Sequence, residues 1–335
     1  SRVFISAARK SSGKTSITIG LCAALQARGL AVQPYKKGPD YIDPHWLAKA
    51  AGRACYNLDF YTMDHGEITE LYDTHSAGAD ISIIEGNKGL YDGLDLEGSN
   101  SNAALAKLLD TPVVLVLDAR GMTRGVAPLI LGYQAFDDNI KIKGVILNKL
   151  GGYRHEDKLR KVIEHYTDVQ VIGAVHHNPE LDIEERHLGL IPSHEDTSCQ
   201  AKIEILRNAI EDQVDLNALL TIADSQAGEN ATISPVRPPI DLADITIGIV
   251  ENAAFGVYYP DDLEAFAAAG ARLIPIDNIG DHELPQLDGL FIGGGFPETH
   301  MQALEHNKAF KQQLAHAIDN GLPVYAECGG LMYLA

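Results

Sequence analysis

The sequence has few cysteines, and they are scattered. Its four cysteines, at positions 22, 55, 199 and 328, form no C-x-x-C pair. A disulfide framework or a cysteine zinc site is built from closely and regularly spaced cysteines. Neither is indicated here.

Positive charge is also scarce. Lysine and arginine number 27 against 46 aspartates and glutamates, which gives a formal net charge of −19. Such a chain as a whole repels nucleic acid and anionic membrane surfaces, so neither is an expected partner. An anionic ligand must therefore meet a local cluster of cations, and the early chain offers Arg9, Lys10, Lys14, Lys36, Lys37 and Lys88.

Long hydrophobic runs are missing as well. No apolar run reaches the length of a membrane span, and the sequence opens on a strand pattern rather than on a signal peptide, so the cytoplasm is the expected location. The chain has 335 residues, of which 45% are hydrophobic, as in ordinary soluble proteins. That length predicts two domains.

The start of the chain carries the pattern of a phosphate site. An apolar run at residues 3–7 leads into a small-residue loop ending Gly13-Lys14-Thr15, and a helical pattern follows at once. The glycine admits backbone N–H groups to phosphate oxygens, the lysine reaches the β- and γ-phosphates, and the threonine offers its hydroxyl to Mg²⁺. Ala8 replaces the usual first glycine, and an ordinary polar turn is the alternative interpretation. The predicted nucleotide-binding residues are Ser12, Gly13, Lys14, Thr15, Ser16 and, from a later strand end, Asn148.

Carboxylates follow two of the predicted strands. Asp40 and Asp43 lie in a turn-rich segment that two prolines stiffen, and Glu85 comes directly after the buried strand pattern at residues 81–84. The carboxyl end of such a strand is where open α/β sheets bind ligands. Because hard cations prefer oxygen ligands, Thr15, Asp40 and Glu85 are predicted to hold Mg²⁺. Asp92, in a glycine-rich loop, is predicted to meet metal or substrate, although a solvated loop would also carry such aspartates.

The rest of the first half alternates strand and helix patterns. Strands are predicted at 31–35, 112–118, 142–148 and 169–175, and helices at 103–109, 126–136, 158–166 and 203–222. This βαβα order predicts a parallel, doubly wound sheet. Asn148, at a strand end, is predicted to read a nucleotide base.

A second α/β pattern starts at residue 246, after a polar linker without periodicity, and includes helices at 263–269 and 303–320. Near its end, Cys328 falls on a sharp strand-to-helix turn, the pattern of a nucleophile elbow. The helix N-terminus stabilises a thiolate, and the N–H of Gly329 can face an oxyanion. The glycine triplet at 293–295 is predicted to supply the second donor, from Gly294 or Gly295.

Taken together, these residues resemble the cobyrinic acid a,c-diamide synthases, which are glutamine-dependent ATP amidoligases of corrinoid and related tetrapyrrole biosynthesis. The similarity spans nearly the whole chain. Its most specific markers are residues 37–44 (KGPDYIDP), 85–86 (EG), 89–93 (GLYDG), 184–190 (EERHLGL), 293–298 (GGGFPE) and 325–334 (YAECGGLMYL).

The resemblance implies a fold and a set of roles. It implies a dethiobiotin-synthetase-like P-loop domain at 1–224, a linker at 225–242, and a class I glutamine amidotransferase domain of flavodoxin-like fold at 243–335. ATP is the implied co-substrate, Mg²⁺ the cofactor, and glutamine and a tetrapyrrole polycarboxylate the other partners; a homodimer is left open. Asp40, Asp43, Glu85 and Asp92 then serve metal binding and substrate activation, and Cys328 is the glutaminase nucleophile.

The implied chemistry is coherent. ATP converts an unreactive carboxylate into an acyl phosphate, and ammonia displaces the phosphate. Since water would compete for that intermediate, the ammonia is expected to come from a Cys328 thioester in the same protein. In class I glutaminases the base is a histidine downstream of the cysteine, whereas all 13 histidines here precede Cys328. The base is therefore expected beyond Ala335, in a second domain of which this chain holds the first part; the chain alone would use only free ammonia.

Two alternatives stay open at this point. Asn87 and Lys88 stand where many family members have apolar residues, which favours a changed tetrapyrrole: hydrogenobyrinic acid, nickel sirohydrochlorin or sirohaem instead of cobyrinic acid. A different class is a nucleotide-dependent switch of the partitioning-ATPase type, with the second half as a binding module. Such a switch has no need of residues 38–44 or of a cysteine elbow.

Overall fold

The computed structural model describes residues 1–183, 185–186, 189–190, 198–225 and 245–335. These residues fall into two compact units, the first ending at residue 225 and the second starting at residue 245. The predicted linker at 225–242 lies, except for its first residue, outside the described residues, so its bounds stay a prediction. Most of the 184–190 marker also lies outside them.

The first unit is built on a seven-stranded parallel sheet with the order β3-β2-β4-β1-β5-β6-β7. Its strands read as nearly continuous apolar runs because helices cover both faces of such a sheet; every residue of β5, for example, is buried. The bounds are β1 Arg2–Ala7, β2 Val32–Lys37, β3 Tyr56–Leu58, β4 Ile81–Glu85, β5 Val113–Asp118, β6 Ile142–Leu150 and β7 Gln170–His176, with a separate two-stranded antiparallel pair β8 Glu185–Arg186 and β9 Gly189–Leu190.

Eight helices are described in this unit. They are α1 Lys14–Ala27, α2 Asp43–Ala51, α3 His65–Ser76, α4 Asn102–Leu108, α5 Val126–Phe136, α6 Tyr153–Tyr166, α7 Cys199–Gln213 and α8 Leu216–Asp224. The doubly wound sheet predicted from the alternating pattern is confirmed. Because β1 lies in the middle of the sheet and the chain runs outward from it in both directions, the carboxyl end of β1 is the expected ligand crevice.

The single helix predicted at residues 203–222 is wrong, since the structure has α7 and α8 instead. The break comes at Asp215, whose Oδ1 accepts the N–H groups of Asn217 and Ala218 at 3.0 Å and so caps α8. Val214 just before it forms an antiparallel bridge with Gly173 of β7. Apolar periodicity runs through both helices, so the local cap and the bridge decide the break.

The second unit carries a four-stranded parallel sheet with the order β12-β10-β13-β15 and a short antiparallel pair, β11 with β14. Its elements are β10 Thr246–Val250, β11 Phe255–Val257, α9 Pro260–Ala268, β12 Arg272–Ile276, β13 Gly289–Ile292, β14 Gly294–Gly295, α10 Met301–His306, α11 Lys308–Asp319, β15 Val324–Ala326 and α12 Gly329–Leu334. Its core includes Val250, Phe255, Ile292, Phe310 and Leu314.

The helix predicted at 303–320 is likewise two helices, α10 and α11. Asn307 separates them: its Nδ2 donates to the carbonyl oxygens of Asn278 and Asp281 at 2.9 and 2.7 Å, and its Oδ1 accepts the Phe310 N–H at 3.4 Å. The backbone of Asn307, at φ −80° and ψ +61°, is not helical, so α10 ends here and α11 begins after it. Among all described helices of the chain, none is long and apolar enough to cross a membrane.

Candidate active site

The loop between β1 and α1 has the geometry that its sequence predicts. Gly13, directly before α1, has φ +87°, a conformation that favours glycine. A Cβ at this position would lie 2.2 Å from Nδ2 of Asn148. Both the backbone conformation and the close approach therefore require glycine, and the loop passes directly into the helix N-terminus, where anions bind.

Three side chains hold the loop from outside. Asn148 Nδ2 donates to the Ser12 carbonyl at 2.9 Å, Lys149 Nζ to the Ser11 carbonyl at 3.1 Å, and the Tyr133 hydroxyl to the Ala8 carbonyl at 2.6 Å. Asn148 Oδ1 also accepts the N–H of Lys149 at 2.9 Å. The predicted amide thus lies at the site, but its described partners are protein backbone, and its reading of a base stays a prediction.

Lys14, the first residue of α1, is 5% exposed. Burial lowers the pKa of its ammonium to about 8, against the opposing charges of Glu85, Asp43 and Asp92. A buried ammonium gains most from an anion placed beside it, because a nearby opposite charge offsets its desolvation. This is the environment expected for a lysine that meets phosphate.

Beside the loop, one buried lysine joins the predicted acidic residues. Lys36 Nζ lies 2.5 Å from Asp43 Oδ2 and 2.9 Å from Glu85 Oε1. The Thr15 hydroxyl lies 3.1 and 2.8 Å from the same two oxygens. Burial acts to lower the pKa of Lys36, but the carboxylates of Asp43 and Glu85 outweigh it and raise that pKa well above its ordinary value. Lys36 is therefore a fixed positive charge at the centre of the cluster.

Glu85 is fully buried, and its Oε2 has no hydrogen-bond partner among the described residues. Burial raises the pKa of this carboxyl, and the Lys36 ammonium opposes that shift. A buried acceptor without a partner is unusual in a folded protein and requires an explanation. Oxygens from Thr15, Asp43 and Glu85 together form a hard donor set, which fits a divalent cation such as Mg²⁺.

Asp40 and Asp92 lie at the border of this cluster. Asp40 Oδ1 accepts the N–H groups of Ile42 and Asp43 at 3.0 Å, and its Oδ2 is 3.8 Å from Lys36 Nζ. Asp92 is exposed, and its Oδ2 accepts the Gly89 N–H at 3.0 Å. Of the predicted metal ligands, the structure therefore joins Thr15 and Glu85 directly, with Asp43 rather than Asp40 as their neighbour. Among the residues that the structure describes, no group of three or more His, Cys, Asp or Glu side chains could hold a metal by itself.

The phosphate loop and this cluster open into a cavity of about 630 Å³. Its lining includes residues 13–16 with Lys36 and Asp43, so Ser16 borders the cavity, and its binding of a nucleotide stays a prediction. The lining also includes the apolar residues Val175, Leu181, Ile183, Leu206 and Ile210, which come from β7, the segment after it and α7, and the polar residues His176, His177, Asn178 and Asp182. A cavity of this size, with both polar and apolar residues in its lining, suits a small-molecule site.

In the second unit, Cys328 lies between β15 and α12 at φ +47° and ψ −117°. A non-glycine residue rarely adopts this conformation, and such strain concentrates at functional sites. The turn is fixed from both sides, because Glu327 N–H donates to the Ile292 carbonyl and Met332 N–H to the Cys328 carbonyl, both at 3.1 Å. Cys328 is exposed, whereas the three other cysteines are buried.

The predicted oxyanion glycines gather around this turn. A Cβ on Gly294 would lie 3.8 Å from the Cβ of Cys328, and one on Gly329 would lie 2.6 Å from the Gly295 carbonyl oxygen. The N–H of Gly330 donates to the Gly293 carbonyl at 3.1 Å. The structure therefore brings Gly294, Gly295 and Gly329 to the thiol; their role as oxyanion donors stays a prediction.

Two contributors were not assigned by the sequence. In the sequence, Lys36 is only one of several early cations, and no pattern marks Tyr133. The signal for Lys36 was its place at a strand end beside a carboxylate-rich turn. For Tyr133, on α5, no local signal exists, since its partner Ala8 lies 125 residues away along the chain.

Comparison with known families accounts for both units. Residues 4–191 match the CobQ/CobB/MinD/ParA nucleotide binding domain, and residues 246–335 match the CobB/CobQ-like glutamine amidotransferase domain. The cobyrinate a,c-diamide synthase of Magnetococcus marinus is 45% identical over all of this chain and 73% of its own length. The chain belongs to the cobyrinate a,c-diamide synthase family.

Other members give the same result. The cobyrinate a,c-diamide synthases of Methanosarcina acetivorans and Listeria innocua are 44% and 40% identical over 99% of this chain, and the chain covers 70% and 74% of their lengths. Among solved structures, chloroplast FtsY of Physcomitrella patens aligns with 62% of the chain and 64% of its own length at a TM-score of 0.40 and 18% identity, too low to carry an argument. The resemblance to the cobyrinate a,c-diamide synthase family and the P-loop plus amidotransferase fold class are confirmed.

Proposed function

We propose that this protein uses ATP and glutamine to convert the a and c acetate carboxylates of cobyrinate into amides through acyl phosphates. The observation that carries the proposal is the cluster of Thr15, Lys36, Asp43 and Glu85 beside a phosphate loop, in a chain whose relatives are named cobyrinate a,c-diamide synthases. A partitioning-type switch does not account for the amidotransferase domain at 246–335.

The first half-reaction takes place in the 630 Å³ cavity. A carboxylate oxygen of the substrate bonds to the γ-phosphorus of ATP, the bond from that phosphorus to the β,γ-bridging oxygen breaks, and ADP leaves. The loop N–H groups, Lys14 and Lys36 offset the charge of the transferring phosphoryl group and hold it in line with the carboxylate. The apolar residues in the lining of the cavity suit the nucleotide base.

The same cluster fits Mg²⁺. Thr15, Asp43 and Glu85 would hold it, with Asp40 and Asp92 at the substrate side, and the ion would neutralise charge on the phosphates during transfer. The orphaned Oε2 of Glu85 supports this assignment, since it lacks any other partner among the described residues.

In the second half-reaction, ammonia attacks the acyl carbon and phosphate leaves with the original carboxylate oxygen. The Cys328 thiolate bonds to the side-chain amide carbon of glutamine, the C–N bond breaks, and the nitrogen takes up a proton and leaves as ammonia; water then hydrolyses the thioester to glutamate and the free thiol. Backbone N–H groups of Gly294, Gly295 and Gly329 would stabilise the oxyanions. A cytoplasmic location and the absence of nucleic-acid partners remain predictions from the charge and the lack of an apolar span.

Product mass tests the proposal. The full-length protein with ATP, Mg²⁺ and glutamine is incubated in turn with cobyrinate, hydrogenobyrinate, nickel sirohydrochlorin and sirohaem, and carboxylate-to-amide conversion is followed by mass spectrometry. We expect two conversions of cobyrinate with ADP formed in step. Conversion of another macrocycle alone would transfer the proposal to that substrate, and ATP hydrolysis without any amide would contradict it.

The Tyr133→Phe variant is expected to raise the KM for ATP about fivefold to tenfold and to leave the KM for the tetrapyrrole unchanged. The substitution keeps the ring but removes the hydrogen bond to the Ala8 carbonyl, and one such bond contributes about 1 kcal/mol. Steady-state kinetics with ATP and the tetrapyrrole varied in turn shows whether only the KM for ATP changes.

Tyr166→Phe is the matched control. The Tyr166 hydroxyl, at the end of α6, accepts a hydrogen bond from the Arg124 side chain at 3.0 Å, and its partner is therefore not the phosphate loop. Its KM for ATP should stay within about twofold of wild type. If Tyr133→Phe changed both KM values equally, or lowered thermal stability without affecting ATP, the hydroxyl would be a structural contact only.

A further inference from the structure

Two consecutive lysines end β2 in opposite surroundings. Lys36 lies within 4.0 Å of three carboxylates, whereas Lys37, only 4% exposed, has no hydrogen bond or ion pair to any residue that the structure describes. Burial lowers the pKa of Lys37. Burying an ammonium without a partner costs free energy, so its retention points to a counter-charge that arrives with a ligand.

Lys37 lies at the catalytic edge of the sheet. It is the last residue of β2, and the register places Lys36 opposite Glu85 of β4 and Lys37 opposite Leu58 of β3. Side chains alternate along a strand, so Lys37 faces the other side of the sheet from the Lys36 cluster. Adjacent strands are about 5 Å apart, so a large ligand at this edge can reach both sides at once.

One carboxylate lies near Lys37 without pairing with it. Asp59, directly after β3, is 4% exposed; its Oδ1 accepts the Tyr61 N–H at 3.0 Å, and its buried Oδ2 has no partner among the described residues. Lys88 lies in the loop after β4, and β4 pairs in parallel with β2, so Lys37 and Lys88 lie at the same edge of the sheet. The Asp59 charge raises the pKa of Lys37, and the Lys88 charge lowers it. A Cβ on the intervening Gly38 would lie 2.8 Å from the Cβ of Asp59, so the two strand ends converge closely here.

We propose that Lys37 and Lys88 bind a second, non-reacting carboxylate of the substrate while another carboxylate is phosphorylated at the Lys36 cluster. This inference rests on the proposed function, since a tetrapyrrole polycarboxylate carries several acids around its ring. The charges of Lys37, Lys88 and Asp59 sum to one net positive charge, which matches the single negative charge of one carboxylate. In a chain of net charge −19, a polyanion needs such a local receptor.

Lys37→Gln and Lys88→Gln in the full-length protein test this subsite. Each is expected to raise the KM for cobyrinate about tenfold, because a hydrogen bond to a charged group is lost, while the KM for ATP stays within about twofold. Lys107→Gln is the charge-matched control: Lys107, on α4, pairs with Asp137 at 2.7 Å and should leave both KM values unchanged. Higher salt should weaken cobyrinate binding less in Lys37→Gln than in wild type.

A second variant separates ligand binding from folding. Lys37→Met replaces an unpaired buried charge by an apolar side chain, so we expect its Tm to be equal to or above that of wild type while the KM for cobyrinate rises. A fall in Tm with an unchanged KM for cobyrinate would show that Lys37 has only a structural role and would overturn the subsite. Equal rises in the KM values for cobyrinate and ATP would overturn it as well.

The failure of the subsite can be told from the failure of the proposed function. If wild type amidates no tetrapyrrole, the proposed function fails; if it amidates normally and the lysine variants match it, only the subsite fails. Lys88 is exposed, so its variant tests the subsite even if Lys37→Gln does not fold.

Discussion

Cys328→Ala in the full-length protein is expected to reduce glutamine-supported amidation by more than about a thousandfold and to leave ammonia-supported amidation near the wild-type rate. The thiol lies on a strained turn at a helix N-terminus in the second unit, and the nucleotide site lies wholly in the first unit. Removing the nucleophile therefore stops ammonia release without touching the phosphorylation chemistry. ADP formation is measured with glutamine and with ammonium chloride as alternative nitrogen sources.

The control for this experiment is Tyr325→Phe. Tyr325 is 61% exposed, lies three residues before the cysteine, and its hydroxyl donates to Glu327 at 3.2 Å. Both nitrogen sources should support this variant at close to the wild-type rate. Equal losses of the two activities in Cys328→Ala would show that the thiol does not serve a separate glutaminase step.

Glu85→Gln is expected to lower kcat by about a hundredfold to a thousandfold with either nitrogen source. The substitution keeps the shape of a fully buried side chain but removes the charge that faces Lys36 and Thr15, and it weakens the donor set for Mg²⁺. Hydrolysis of glutamine without amidation should persist, since that chemistry belongs to Cys328. The measurements are amide formation and glutamate release in the same reaction.

Glu97→Gln makes the same chemical change at an exposed position in the segment between β4 and α4, and it should leave amidation unchanged. A Glu85→Gln variant within tenfold of wild type in ammonia-supported amidation would contradict the role given to this cluster. A variant that lost only the glutamine-supported reaction would contradict it as well.

The sequence predicted those parts of the site that are local in the chain. Gly13, Lys14 and Thr15 are consecutive and lie where the loop after β1 passes into α1, so their geometry follows from the short-range pattern. The elbow at Cys328 was predictable for the same reason. The parallel order of the sheet followed from alternation of the strand and helix patterns.

The rest depended on contacts between distant residues. No pattern in residues 31–44 shows that Lys36 faces Glu85 while Lys37 faces away, because that follows from the register of β2 against β4. The same limit applies to Asn307, whose partners lie in the loop after β12 and break a helix that periodicity alone would continue. Pairings over long sequence separations decide which carboxylates meet.

The central claim is that a substrate carboxylate becomes a mixed anhydride with phosphate before nitrogen arrives. Cobyrinate labelled with oxygen-18 in its carboxylates tests this most directly, with ATP, Mg²⁺ and ammonia supplied and the released phosphate analysed by mass spectrometry. We predict one labelled oxygen in phosphate for each amide formed. Amide formed with unlabelled phosphate would contradict the account.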